Sequence, residues 1–141
     1  MKILLTIDGS EYSIRASEYA AKLTKYIPNS KVTLLYVDTL LTLIKTRGGV
    51  LPPDFERALD VNAEDALEQA KKIFIEKDLP FDVKVLEGYD VATTIANCAK
   101  EFNYDQIIMG TRGLGSIKGI LLGSVSHKVL QIAPCAVTVV K

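Results

Sequence analysis

Along the chain, short continuous apolar runs alternate with longer stretches whose apolar residues recur every three or four positions. Lys2 to Ile7 is a β-favouring run closed by Asp8-Gly9-Ser10, which predicts a buried strand. Ser10 marks a helix start, because its hydroxyl can accept from the free N–H groups of a first turn. Ile14, Ala16, Ala20, Leu23 and Ile27 follow at roughly helical spacing, and Pro28-Asn29 is the expected stop. Lys31 to Val37 reads as a second strand. Asp38 to Pro53 is irregular, with Leu40, Leu41, Leu43 and Ile44 ahead of Gly48-Gly49 and Pro52-Pro53. Asp54 then reads as the cap of a long helix with Phe55, Leu59, Ala63, Ala66, Leu67, Ala70 and Phe74 along one side. Phe81 to Leu86 is the third strand. Val91 to Phe102 is the third helix, with Ile95, Ala96 and Ala99 inward, and Gln106 to Met109 is the fourth strand. A glycine-rich turn leads to a helix near Val125 to Ile132, and Ala136 to Val140 is the last strand.

This β-α-β-α-β-α-β-α-β order predicts an α/β fold. Strands joined through helices run parallel, because each helix supplies the crossover. The apolar runs are continuous rather than alternating, as expected of a sheet covered on both faces. The architecture expected is a doubly wound, Rossmann-like five-stranded parallel sheet forming one domain over residues 1–141. Such sheets bind ligands outside the carboxyl ends of the strands, where the strand order reverses. The loops that matter are therefore Asp8-Gly9-Ser10, the segment from Asp38, Gly88-Tyr89-Asp90 and the segment from Gly110.

Composition narrows the function. Of 141 residues, 48% are hydrophobic and 24% charged, the mix of an ordinary globular domain that needs no staple. Seventeen basic residues balance seventeen acidic ones, so no bulk attraction to nucleic acid or an acidic membrane surface is expected. The apolar opening ends at Asp8, too short for a secretory leader, and no run approaches the ~20 apolar residues of a membrane span. A cytoplasmic protein is expected. Cys98 and Cys135 have no partners at metal-ligand spacing and read as buried thiols in a reducing compartment.

The candidate chemistry sits in residues 109–125, Met-Gly-Thr-Arg-Gly-Leu-Gly-Ser-Ile-Lys-Gly-Ile-Leu-Leu-Gly-Ser-Val. Five of the nine glycines fall here, at 110, 113, 115, 119 and 123, directly after a strand. Glycine lets backbone N–H groups approach a ligand closely and permits positive φ. Gly123-Ser124 then opens a helix, whose free N–H groups and dipole favour an anion. Two commoner phosphate motifs fail. Gly110 to Gly115 has P-loop spacing, but Ser116 stands where lysine is required. Gly113 and Gly115 begin a dinucleotide fingerprint, but Lys118 replaces its third glycine.

Gly110, Gly113, Gly123 and Ser124 match G-x2-G-x9-G-[S/T], the motif of nucleotide-binding universal stress proteins, and the chain resembles that family. The opening Lys2-Ile3-Leu4-Leu5-Thr6-Ile7-Asp8-Gly9-Ser10 and the closing Leu121-Leu122-Gly123-Ser124-Val125-Ser126 and Ala133-Pro134-Cys135 are similar to the family's ends. The resemblance implies strand order 3-2-1-4-5. It implies ATP as ligand, with backbone groups of Gly110, Gly113, Gly123, Ser124 and Val125 on ribose and phosphates and the Ser124 hydroxyl adding to them. It places Asp8 by the phosphates or a bound Mg²⁺, whose preferred ligands are hard oxygens, and Val37 against adenine. It also implies a homodimer through the last strand, an edge in this order, and a non-metabolic sensor or regulator of the stress response.

Some positions depart from the family. Thr6, Asp90 and Ala136 stand where proline is frequent, and Tyr36 where histidine is frequent. Thr6 and Tyr36 bear on the adenine pocket, while Asp90 adds a carboxylate at its rim that can either help bind a metal or repel phosphate. Arg112 and Lys118 flank the loop as phosphate neutralisers or as ordinary surface charge. The segment Leu40 to Leu51 reads as a lid, a partner surface or plain packing. Ser124, His127 and Asp8 do not make a hydrolase, since Ser124 has no G-x-S-x-G elbow. No residue is an obvious general base, and no P-loop lysine stabilises transferring charge, so turnover is expected to be slow at most. Two alternatives stand beside the regulator. One is a slow ATPase or a protein autophosphorylating at Ser124 or Ser126, marked by metal-dependent phosphate release that Asp8→Ala abolishes. The other is a nucleotide-free interaction module of the same fold.

Overall fold

The computed structural model describes residues 1–39, 53–113 and 122–141. Strands β1 (Lys2–Thr6), β2 (Lys31–Asp38), β3 (Phe81–Glu87), β4 (Gln106–Gly110) and β5 (Ala136–Val140) alternate with helices α1 (Glu11–Thr24), α2 (Pro53–Glu76), α3 (Val91–Glu101) and α4 (Ser124–Ile132). The strands form one sheet in the order β3-β2-β1-β4-β5, every neighbouring pair parallel. The chain builds outward from β1 to β2 and β3, then crosses to β4 and β5 on the other side. The order therefore reverses between β1 and β4, as expected.

The central strand shows why helices cover both faces. Successive side chains of a strand point to opposite sides, and β1 is apolar at consecutive positions. Ile3, Leu5 and Ile7 pack with Ala16, Ala20 and Ala21 of α1 and with Leu67, Ala70 and Phe74 of α2. Leu4 packs on the other face with Ala92, Ile95, Cys98 and Ala99 of α3 and Val129 of α4. The alanines of α1 and α3 let those helices lie close to the sheet. Phe74 is fully buried and meets Phe81 at a ring-centroid distance of 5.7 Å.

Local chemistry sets the element ends. The Ser10 hydroxyl accepts from the Ser13 N–H and opens α1 as expected. The helix stops at Thr24 rather than Pro28. Turns follow, with Asn29 at φ 59°, a left-handed position that asparagine tolerates. The long helix begins at Pro53, so Asp54 lies inside its first turn rather than capping it. A proline suits that place because the N–H it lacks has no helical partner there. Phe55 and Leu59, and the segment Leu40 to Leu51, lie outside the described side chains. Continuous burial fails in β3, where Val83 and Val85 are exposed and charged residues alternate with them. This strand is a sheet edge, which accounts for the difference. Among the described residues no helix is long and apolar enough to cross a membrane.

Candidate functional site

The carboxyl ends of β1, β2 and β4 surround a cleft of about 350 Å³. Its inner wall is apolar: Leu35 and Val37 of β2, Met109 of β4, and Val91 and Ile95 one helical turn apart on α3. Its polar lining is Thr6, Asp8, Ser13, Tyr36, Arg112, Ser124 and Ser126. Ile7, Gly110, Gly113, Gly123 and Val125 complete the lining. An apolar slot with a polar, glycine-bearing mouth is suited to a flat ring carrying an anionic tail.

Asp8 follows β1 in a turn that Gly9 makes possible, at φ +79°. One carboxylate oxygen, Oδ1, accepts from the Ser10 N–H at 3.0 Å and the Ser10 hydroxyl at 2.6 Å. The other, Oδ2, faces Gly113 so closely that a Cβ on that glycine would lie 2.5 Å from it. Asp8 is thus held by the helix start with one oxygen and turned toward the glycine loop with the other. Ser10 also bridges to that loop, its Oγ lying 3.3 Å from the Arg112 carbonyl oxygen.

The two halves of the motif meet through the backbone. The Gly123 N–H donates to the Thr111 carbonyl at 2.7 Å, which seats the first turn of α4 beside the end of β4. The Ser126 hydroxyl donates to the Gly110 carbonyl at 2.9 Å and fixes the same junction. Among the described residues no side chain caps α4, and its first turn holds no acidic residue. Its leading N–H groups therefore remain available to an anion. The motif glycines serve close approach rather than positive φ. A Cβ on Gly110 would meet Tyr12 of α1 at 2.7 Å, and one on Gly123 would lie 3.3 Å from Arg112 Cα. Among the described glycines only Gly9 has positive φ.

A family model, "Universal stress protein family", matches residues 1–141. The chain belongs to the universal stress protein family. The universal stress protein YxiE of Bacillus subtilis is 34% identical over 147 residues, covering 99% of this chain and 98% of YxiE. The solved structure of hypothetical protein MJ0577 superposes with a TM-score of 0.82 at 28% identity, covering 99% of this chain and 94% of that one. Two more distant neighbours share the fold. One is the universal stress protein of Archaeoglobus fulgidus in complex with dAMP, with TM-score 0.73 and 19% identity over 100% of this chain and 98% of that one. The other is an Arabidopsis thaliana universal stress protein family protein with AMP bound, with TM-score 0.73 and 19% identity over 100% and 91% of the two chains.

Every site residue that the resemblance to the universal stress proteins implies lines this one cleft: Asp8, Val37, Gly110, Gly113, Gly123, Ser124 and Val125. Gly115, Lys118 and Gly119 lie outside the described residues. Of the departures from the universal stress protein pattern, Thr6 and Tyr36 line the cleft. Burial, and then the charges of Asp38 and Asp8, push the Tyr36 phenol above its usual range, so it stays a protonated donor at neutral pH. Asp90 does not face the cleft. Its carboxylate caps α3 through the Thr93 N–H at 2.8 Å and pairs with Lys128 of α4 at 2.9 Å. His127 is exposed, and among the described residues no side-chain hydrogen bond joins it to Ser124 or Asp8. Ser126 is buried with its hydroxyl engaged, whereas Ser124 is exposed at the cleft. Burial raises both cysteine thiols above their usual range, and neither cysteine lines the cleft. Sequence reasoning missed Ile7, Ser13, Leu35, Val91, Ile95 and Met109 as lining residues. The Val91–Ile95 spacing was visible, but it reads equally as ordinary core.

Proposed function

We propose that this protein binds ATP with Mg²⁺ in the cleft and acts as a non-metabolic, nucleotide-dependent regulator in a stress response. The observation that supports this most is the uncapped start of α4 facing the same cleft as Asp8 and the motif glycines. Ribose and phosphates would be held by backbone groups of Gly110, Gly113, Gly123, Ser124 and Val125, with the Ser124 hydroxyl adding one contact. Adenine would enter the apolar slot beside Val37. Neighbours of the same fold that hold dAMP and AMP make an adenine nucleotide the natural ligand class.

Mg²⁺ fits the donor set on one condition. Among the described residues no three carboxylate, histidine or cysteine groups converge on a metal site. Mg²⁺ commonly takes one or two carboxylates and completes its shell with phosphates and water, and Asp8 Oδ2 is the carboxylate oxygen turned that way. A metal here would arrive with the nucleotide. The reading further comprises one domain over residues 1–141, a cytoplasmic location and a homodimer joined through β5, without nucleic-acid partners.

Calorimetric titration of the purified protein with ATP and Mg²⁺ tests the proposal. Saturable binding near one nucleotide per chain is expected, and Gly113→Val should abolish it by driving a side chain into Asp8 Oδ2. Equal binding by that variant, with its fold intact by circular dichroism, would contradict the site.

A further inference from the structure

Arg112 stands between the two halves of the glycine motif and is the one cation among the described residues lining the cleft. Its guanidinium lies over the Tyr12 ring of α1, 4.7 Å from the centroid. Such a stack orients the planar group without consuming its hydrogen-bond donors. Its Nε is buried and has no acceptor among the described residues. A buried guanidinium N–H without a partner is costly; an anion brought into the cleft would satisfy it.

The position of Arg112 says which part of a ligand it meets. Its backbone touches Gly123 at the α4 start, where the first phosphate of any nucleotide would be held by N–H groups. Its guanidinium extends from there to the Tyr12 ring. Tyr12 itself packs against Gly110, so the stacked pair stands beside the first glycine of the motif. A mononucleotide needs only the α4 start and the slot. A diphosphate or triphosphate brings further negative charge into the cleft, where Arg112 is the cation among the described lining residues.

We propose that Arg112, held on the Tyr12 ring, is the specificity residue that reads phosphate number, favouring ATP and ADP over AMP. The inference rests on the nucleotide-binding reading above and adds a ranking of ligands to it. Arg112 forms a charge-assisted, planar contact to the second or third phosphate. Tyr12 is a positioning residue that acts through the face of its ring, not its hydroxyl.

The test is the affinity of ATP, ADP and AMP for the whole chain and its variants at one Mg²⁺ concentration, by calorimetry. A charge-assisted hydrogen bond implies that the chain prefers ATP over AMP by about tenfold or more, and that Arg112→Gln loses this preference by weakening ATP while leaving AMP within about twofold. Tyr12→Leu should lower the preference and Tyr12→Phe should keep it, with thermal melts confirming that each variant folds. Equal weakening of ATP and AMP by Arg112→Gln would make Arg112 a mere support of the loop and overturn the proposal. No change for either nucleotide, or no preference in the unaltered chain, would overturn it too. An unaltered chain that binds none of the three removes the nucleotide reading itself, so the two failures are told apart by the unaltered protein.

Discussion

At the scale of single residues, the cleft depends on atoms that are absent as much as on those present. Gly110 leaves room for α1 to cross the end of β4, and Gly113 leaves room for the Asp8 carboxylate. Asp90 shows a different economy. It looks like a ligand in sequence because it sits at a strand-end loop, yet its carboxylate is committed to the α3 start and to Lys128. Hydrogen bonds from Thr93 and then from Lys128 bring its pKa down from 3.8 to about 2. A depressed carboxylate pKa stabilises the fold above the unfolded value, and that contribution is lost as pH falls through the folded value. Asparagine can still cap a helix, so Asp90→Asn isolates the charge. Its melting temperature should fall below that of the unaltered chain near neutral pH, and the gap should close toward about pH 2. Because the pair is exposed, the gap should be small and should shrink in salt. A gap that is the same at both ends of the pH range would contradict this account.

At the scale of elements, the two edge strands differ in how they meet solvent. β3 carries Asp82, Lys84 and Glu87 along its length, the kind of charge that discourages edge pairing. β5 reads Ala-Val-Thr-Val-Val, has no charge and is half-buried over most of its length. An unprotected edge of this kind fits pairing with its own copy about a two-fold axis. Light scattering at micromolar concentration should give the mass of a dimer, and Thr138→Lys should shift it toward a monomer. A monomeric mass for the unaltered chain would contradict the homodimer. The elements themselves were legible because each carries a consistent period, and all five strands and four helices lie where the apolar pattern puts them. Helix ends were less legible. Ile27 continues the helical spacing of α1, but the chain turns after Thr24. Asp54 imitates a cap, although Pro53 can itself occupy the first helical position.

At the scale of the whole molecule, the site exists because the strand order of the parallel sheet reverses between β1 and β4. That reversal brings Asp8, from the start of the chain, to Gly113 and the Gly123-Ser124 helix start near its end. The motif spacing made the glycines legible as one site. It could not make legible that Asp90 turns away from it, that Ser126 is a structural tie to Gly110, or that Arg112 lies on Tyr12. Each of those depends on packing between elements far apart in sequence. The central claim is that backbone N–H groups at this junction hold the phosphates of a nucleotide, and amide chemical-shift mapping tests it most directly. On titration of ¹⁵N-labelled protein with ATP and Mg²⁺, the account predicts that the largest shifts fall on the amides of Gly110, Gly113, Ser124 and Val125, with Val37 following. A spectrum left unchanged at those amides, or one whose shifts gather elsewhere on the fold, would contradict it.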